Sequence, residues 1–114
     1  MPHFVVDCSR GLLGTHDETA IIARLHQVAN ASGLFEESDI KIRVNPFDPY
    51  AVGGGREDFL HTFAWIMQWR SVKQRAALSK AIVRALAEMF PTTPHIAVNI
   101  AEFERATYCN RGML

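Results

Sequence analysis

The chain has 114 residues, 48% of them hydrophobic and 21% charged, which is typical of a globular domain rather than of a disordered or fibrous protein. Twelve basic and twelve acidic residues cancel, which argues against non-specific binding of nucleic acid. The longest mainly apolar stretch, residues 59–69, is interrupted by polar side chains and is too short to span a bilayer. We therefore expect one domain over residues 1–114, with neither nucleic acid nor a membrane as partner.

The N-terminal segment lacks the basic residues and the long apolar run of a secretory signal, which predicts a cytoplasmic location. Cys8 and Cys109 lie far apart in sequence and are predicted to be reduced thiols. No pair of histidines has the spacing of metal ligands, so no metal site is expected.

The first predicted strand follows Pro2 and runs to Ser9. Its closely spaced apolar residues are typical of a central strand that is covered on both faces. If Met1 is removed, Pro2 becomes a free secondary amine at the start of this strand. A free α-amine titrates at roughly pH 7.7 to 8.0 before any perturbation, so Pro2 is a candidate general base.

A first helix is predicted over about residues 16–31. Thr15 and Glu18 have the spacing of a capping box, in which each side chain satisfies a free backbone amide of the other residue. Apolar residues then recur at helical spacing on one face, and Gly33 suits the left-handed position that commonly ends a helix.

A second strand is predicted over residues 40–44, where three β-branched residues alternate with Lys41 and Arg43. Because successive side chains of a strand point to opposite faces, both cations lie on the same face. Pro46 and the following glycines predict that residues 46–57 form a loop or a short hairpin.

A long third strand is predicted over residues 59–69, with Phe63 and Trp65 among the many aromatic residues on one of its faces. Ser71 and Gln74 form a second capping-box pattern, and the helix that follows ends at Phe90. Alternating residues predict a last strand around 96–100, whereas the tail over 104–114 has no clear period.

The two halves of the chain, about residues 2–45 and 58–103, repeat the same order of patterns. A shift of about 56 residues superposes them. Two βαβ units with right-handed crossovers predict an α/β sandwich, a four-stranded mixed sheet with two helices on one face. The other, aromatic face is too large to stay in water, so we expect burial against further subunits of a closed oligomer.

The predicted topology also places two candidate site residues together. If the third strand is antiparallel to the first, its carboxyl end lies beside Pro2, and Arg70 follows that end. Arg70 also precedes the second helix, whose free amides favour an anion.

Three segments, residues 1–9, 39–44 and 70–75, resemble the 5-carboxymethyl-2-hydroxymuconate isomerase family of the tautomerase superfamily. The resemblance extends to about residue 103. It implies a homotrimer of tautomerase-like subunits in which an N-terminal proline acts as the base and arginines bind the carboxylates of a small unsaturated acid. It also implies that the reaction needs no metal and no cofactor.

The family's functional residues are transferred position by position. The catalytic proline falls on Pro2, and the arginine before the second helix falls on Arg70. The arginine of the second strand falls on Lys41, which offers a point charge where arginine offers a planar fork. We therefore predict that Arg43, assisted by Lys41, binds the substrate.

The sequence thus predicts an isomerase that ketonises an enol of the 5-carboxymethyl-2-hydroxymuconate type in the catabolism of aromatic compounds. Burial and nearby cations would lower the pKa of Pro2, which would keep its amine neutral and able to accept a proton. Two alternatives stay open. One is another proline-dependent reaction of the superfamily, as a hydratase, dehalogenase or decarboxylase. The other is a non-catalytic oligomeric binding protein that retains Met1.

Overall fold

Four strands form one mixed sheet in the computed structural model, which describes residues 1–114. The strands are β1 (His3–Ser9), β2 (Lys41–Phe47), β3 (Phe59–Met67) and β4 (His95–Phe103). Their order across the sheet is β2-β1-β3-β4. β1 runs parallel to β2 and antiparallel to β3, and β3 runs parallel to β4. The predicted central position of β1 is therefore confirmed, and the condition that β3 is antiparallel to β1 is met.

Two helices, α1 (Glu18–Ala31) and α2 (Val72–Met89), pack on the same face of this sheet. Both follow the predicted apolar stripes. The helix residues buried in the core are Ile21, Leu25 and Ala29 of α1 and Leu78, Ile82, Ala85 and Leu86 of α2. They pack against the alternate, inward-facing side chains of β1 and β3. The predicted doubled βαβ architecture is confirmed.

The predicted capping box at the start of α1 is wrong. Thr15 has helical backbone angles because it ends a 3-10 turn over Arg10–Gly14, so it cannot take the extended conformation of an N-cap. Asp17 is extended instead, and its carboxylate accepts a hydrogen bond from Ala20 N at 2.9 Å. A carboxylate at this position also complements the helix dipole. The second predicted box is present, with Ser71 and Gln74 satisfying each other's backbone amides.

The boundaries of two strands also differ from the prediction. β2 continues through Pro46 to Phe47. It is an edge strand, where a residue without an amide hydrogen is tolerated. β3 ends at Met67 because Trp69 adopts a left-handed conformation, with φ of 88°. Residues 52 and 55 form an isolated antiparallel bridge, as expected of a short hairpin.

The sheet face opposite the helices carries exposed aromatic side chains. Phe63 is 36% exposed and Trp65 is 41% exposed, whereas Ala64 between them is fully buried beneath the helices. This alternation confirms which residues of β3 share a face. Neither helix has the length and apolar character needed to cross a membrane.

The C-terminal tail folds against the ends of β3 and β4 and includes short 3-10 turns at Arg105–Thr107 and Arg111–Met113. The backbone amide of Arg105 donates to Gln68 Oε1 at 2.6 Å, and the amide of Gln68 donates to the Phe103 carbonyl at 3.2 Å. The Tyr108 ring lies 6.1 Å from the Phe103 ring. These contacts bring the tail to the end of the sheet where β1 begins.

Candidate active site

A cavity of about 440 Å³ lies at the amino end of β1. Because β1 and β3 are antiparallel, with His3 opposite Trp65, the start of the chain meets the segment that follows β3. The residues of the wall that carry polar or charged groups relevant to chemistry are Met1, Asp39, Lys41, Arg70, Arg105 and Tyr108. The wall therefore combines the N-terminal amine with three cationic side chains and one carboxylate.

Pro2 is fully buried and is not itself part of the cavity wall, which contains its neighbour Met1. The Pro2 carbonyl accepts a hydrogen bond from the backbone amide of Lys41 at 3.2 Å, which fixes the start of β1 against β2. Burial lowers the pKa of the Met1 amine below its ordinary value, and the charges of Lys41 and Arg70 act in the same direction. Asp39 opposes them. The environment at this end of the chain thus favours a neutral amine.

Arg70 is half-buried and held from several sides. Its Nη2 donates to the Leu34 carbonyl at 2.6 Å and its Nη1 donates to the Met67 carbonyl at 3.3 Å. The guanidinium also lies 5.5 Å from the centre of the Phe35 ring. Since Ser71 immediately begins the capping box of α2, the backbone of Arg70 is fixed as well. Arg70 is therefore a pre-positioned cation in the cavity wall.

The two cations of β2 lie in different places. Lys41 lines the cavity, and its Nζ donates to the backbone carbonyl of Asp39 at 2.8 Å. Arg43 lies two residues further along the open sheet face, where its Nη1 donates to His3 Nδ1 at 3.1 Å. Burial, then the charges of Arg43 and Lys41, lower the pKa of His3. The structure thus brings Lys41, Arg70 and the chain start together and places Arg43 outside that cavity, beside Trp65.

Sequence reasoning missed the residues that the tail contributes to this wall, among them Arg105 and Tyr108. Both belong to the tail, which has no periodicity from which a fold could be predicted. The one signal is composition, because arginine and tyrosine follow the last strand within a short distance.

A larger concavity, of about 940 Å³, lies between α1 and α2 on the outer side of the helices. It contains none of the predicted site residues. The charges at its rim, Arg24 and Glu88, approach each other to 3.5 Å. We therefore assign the candidate active site to the smaller cavity, where an amine and cations that lower its pKa occur together.

Solved structures share this fold. A 5-carboxymethyl-2-hydroxymuconate isomerase from Deinococcus radiodurans R1 superposes with a TM-score of 0.85 at 19% identity, over 96% of this chain and 88% of that one. A fused 4-OT protein, a wild-type symmetric trimer, gives a TM-score of 0.82 at 15% identity, over 98% and 96%. A member of the cis-3-chloroacrylic acid dehalogenase family gives 0.78 at 17% identity, over 98% and 82%. At these identities the similarity shows the fold.

Sequence comparison is more specific. The chain is 26% identical over 92 residues to the 5-carboxymethyl-2-hydroxymuconate Delta-isomerase of Escherichia coli, a match that covers 79% of this chain and 73% of the relative. The family model described as 5-carboxymethyl-2-hydroxymuconate isomerase matches residues 2–110. Because the family model matches nearly the whole chain, the chain belongs to the 5-carboxymethyl-2-hydroxymuconate isomerase family, an isomerase family of the tautomerase superfamily.

Proposed function

We propose that this protein catalyses the enol-keto tautomerisation of a 5-carboxymethyl-2-hydroxymuconate-type unsaturated acid, with Pro2 as the general base after removal of Met1. The observation that carries the proposal is the position of the chain start, in one cavity with Lys41 and Arg70. This activity would belong to the cytoplasmic catabolism of aromatic compounds.

The base step requires a neutral amine. Ketonisation removes a proton from one atom of the enol and returns it to another, and a base with a pKa near the working pH does this most efficiently. Removal of Met1 would make the nitrogen of Pro2 the N-terminal amine, at the end of β1 where Lys41 and Arg70 line the cavity. These cations would disfavour its protonated form, as they do for the amine of Met1. Pro2 would then accept a proton at neutral pH.

The cations would bind and orient the substrate. Arg70 has five N–H donors, of which two are used by backbone carbonyls, so donors remain for a carboxylate. Lys41 uses one of its three donors. We assign the carboxylate contact of β2 to Lys41, because Arg43 lies outside the cavity. Both cations would also stabilise negative charge as it develops on the dienolate.

Assembly as a homotrimer would cover the open sheet face. Phe63 and Trp65 are exposed on a face that no other element of the chain covers, and a fused 4-OT relative of the same fold is a symmetric trimer. Burying such a face among identical subunits removes apolar surface from water. Light scattering on the purified protein is expected to give three times the mass of the chain.

The decisive experiment compares two forms of the same chain, one that retains Met1 and one from which Met1 has been removed. Intact mass verifies each form, and ultraviolet absorbance follows the ketonisation of 2-hydroxymuconate. We expect activity only in the form that begins with Pro2, because only there is the nitrogen of Pro2 a titratable amine. The Pro2→Ala variant, also without Met1, is expected to lose most of this activity.

Two results would contradict the proposal. Equal activity with and without Met1, or full activity of Pro2→Ala, would exclude Pro2 as the base. The pH profile separates the alternatives: kcat/KM that rises with pH through the pKa of the amine supports a base. A profile in which the protonated amine is the active form would instead indicate hydratase-like, dehalogenase-like or decarboxylase-like chemistry.

A further inference from the structure

Arg105 presents an unengaged guanidinium to the cavity. Its backbone is anchored, since its amide donates to Gln68 Oε1. Its side chain lies in the wall with the guanidinium carbon 4.9 Å from the centre of the Trp69 ring. No carboxylate or carbonyl oxygen of the chain accepts a hydrogen bond from this guanidinium, in contrast to that of Arg70.

Trp69, on which Arg105 rests, has a strained backbone. It is the one non-glycine residue of the structure with positive φ, at 88°, a conformation that bulky side chains rarely adopt. Its amide donates to Glu102 Oε2 at 3.2 Å, which holds the turn in place. The residue is nevertheless 72% exposed, so packing in the core does not explain the strain. The turn instead presents the ring to Arg105.

The side chains of the cavity wall also carry a net positive charge, because they include more cations than carboxylates. Three cationic side chains, Lys41, Arg70 and Arg105, face the single carboxylate of Asp39. Two positive charges therefore remain before the amine is counted, and a dicarboxylate would balance them. Lys41 lies beside Pro2, whose carbonyl accepts a hydrogen bond from the Lys41 amide at 3.2 Å. Arg105 instead enters the wall from the C-terminal tail, where it rests on the Trp69 ring.

We propose that Arg105 binds the second, distal carboxylate of the substrate and that Trp69 is a positioning residue that holds the guanidinium in place. This inference rests on the proposed function, because it specifies how that site selects diacids over monoacids. Arg70 and Lys41 bind the carboxylate near Pro2, and Arg105 binds the carboxylate at the other end. The C-terminal tail is accordingly part of the substrate site.

The test compares Arg105→Ala with Arg111→Ala, a matched variant of an exposed arginine on the same tail that does not line the cavity. Both are made in the form that begins with Pro2. The substrates are the dicarboxylate 2-hydroxymuconate and the monocarboxylate 2-hydroxypenta-2,4-dienoate. For Arg105→Ala we expect KM for the dicarboxylate to rise about tenfold or more, as for loss of a charge-assisted hydrogen bond, with kcat nearly unchanged. The monocarboxylate and the Arg111→Ala variant should show no change.

Two further variants test how Arg105 is held. Arg105→Lys keeps the charge but loses the planar fork, so it should recover part of the affinity. Trp69→Gly relieves the backbone strain but removes the ring, and it should raise KM for the dicarboxylate alone. A variant of Trp69 that lowers kcat equally for both substrates would contradict the positioning role.

Binding without turnover separates this inference from the proposed function. Calorimetry with cis,cis-muconate, a dicarboxylate without the enol hydroxyl, measures affinity even if the chain ketonises nothing. We expect Arg105→Ala to lose about tenfold or more in affinity relative to the parent and to Arg111→Ala. Unchanged affinity, a parent protein that binds no dicarboxylate, or equal losses for mono- and dicarboxylates would each overturn the assignment of Arg105.

Discussion

The two ends of the sheet are related by the internal repeat, yet their charges are arranged differently. At the end where β1 starts, Lys41, Arg70 and Arg105 surround a cavity with only one carboxylate. At the opposite end, Arg10 pairs with Asp48 at 3.0 Å. There the buried Ser9 hydroxyl donates to Asp58 at 2.8 Å and accepts from the amide of Phe59 at 3.2 Å.

The internal repeat duplicates the fold but not the cationic cavity. Shifting the chain by about 56 residues places Gly14 on Arg70 and Leu13 on Trp69. The first half therefore lacks both the cation and the aromatic ring at the equivalent turn. One end of the sheet pairs its polar groups with one another, whereas the other has cationic donors without a partner in the chain.

The largest expected effect comes from removing a cation at the cavity end. Arg70→Ala should lower kcat/KM for 2-hydroxymuconate by about a hundredfold, because it removes a donor from the developing charge. Arg10→Ala, the control at the opposite end, should change kcat/KM less than twofold and stability by less than about 1 kcal/mol, since its ion pair is exposed. Steady-state kinetics and urea unfolding measure both. Similar losses in the two variants would show that the ends are functionally equivalent.

Ser9→Ala tests the opposite end of the sheet. The variant leaves the amide of Phe59 and the Asp58 carboxylate without this partner in a partly buried place, so we expect the free energy of unfolding to fall by about 1 to 3 kcal/mol. Urea unfolding at fixed protein concentration measures it. The activity of the folded protein should stay within twofold of the parent. A loss of activity without a loss of stability would show that this end of the sheet also takes part in catalysis.

Lys41→Met tests how the cavity acts on the base. Lys41 disfavours the protonated amine, so its loss should raise the pKa of the amine and move the acid limb of the kcat/KM profile to higher pH. KM should rise about tenfold through the lost carboxylate contact. Arg43→Met, the matched variant on the same strand, should leave the acid limb in place. If Arg43→Met shifted the acid limb and raised KM while Lys41→Met did not, Arg43 rather than Lys41 would bind the carboxylate.

The smallest effect concerns Thr62, in the middle of β3 between the two ends. Its hydroxyl is fully buried and has no hydrogen-bond partner. Replacing it by valine of the same shape should stabilise the protein by about 1 kcal/mol, since no polar group then remains unsatisfied. Thr62→Ser is the control, because it keeps the hydroxyl and removes a methyl group, and it should destabilise. A destabilised Thr62→Val would mean that the hydroxyl has a partner.

Most of the architecture could be predicted from the sequence, because both βαβ units carry clear periodicity. Alternation in residues 40–44 and the aromatic face of residues 59–69 identified two strands, and helical spacing identified both helices. The choice between neighbouring residues that could fill the same structural role was harder to predict. Thr15 and Asp17 are both good capping residues, and the preceding 3-10 turn selects Asp17. Pro46 predicts the end of the second strand unless β2 is known to be an edge strand.

The candidate site was predictable only where topology determines it. Given antiparallel pairing of β1 with β3, the start of the chain and Arg70 were expected at one edge of the sheet, and the structure places Met1 and Arg70 in one cavity there. Which cation of β2 reaches the cavity depends on register, since Lys41 lies opposite His3 and Arg43 lies two residues further along. Arg105 could not be found, because tertiary contacts rather than periodicity position its segment.

The two cysteines differ in a way that is useful for spectroscopy. Cys8 is buried in β1, and burial raises the pKa of its thiol to about 11, so it remains an unreactive thiol at neutral pH. Cys109 is exposed and directly follows Tyr108 of the cavity wall. A maleimide fluorophore should therefore attach at one position without any engineered mutation. Its emission would report directly on movement of the tail as a ligand enters.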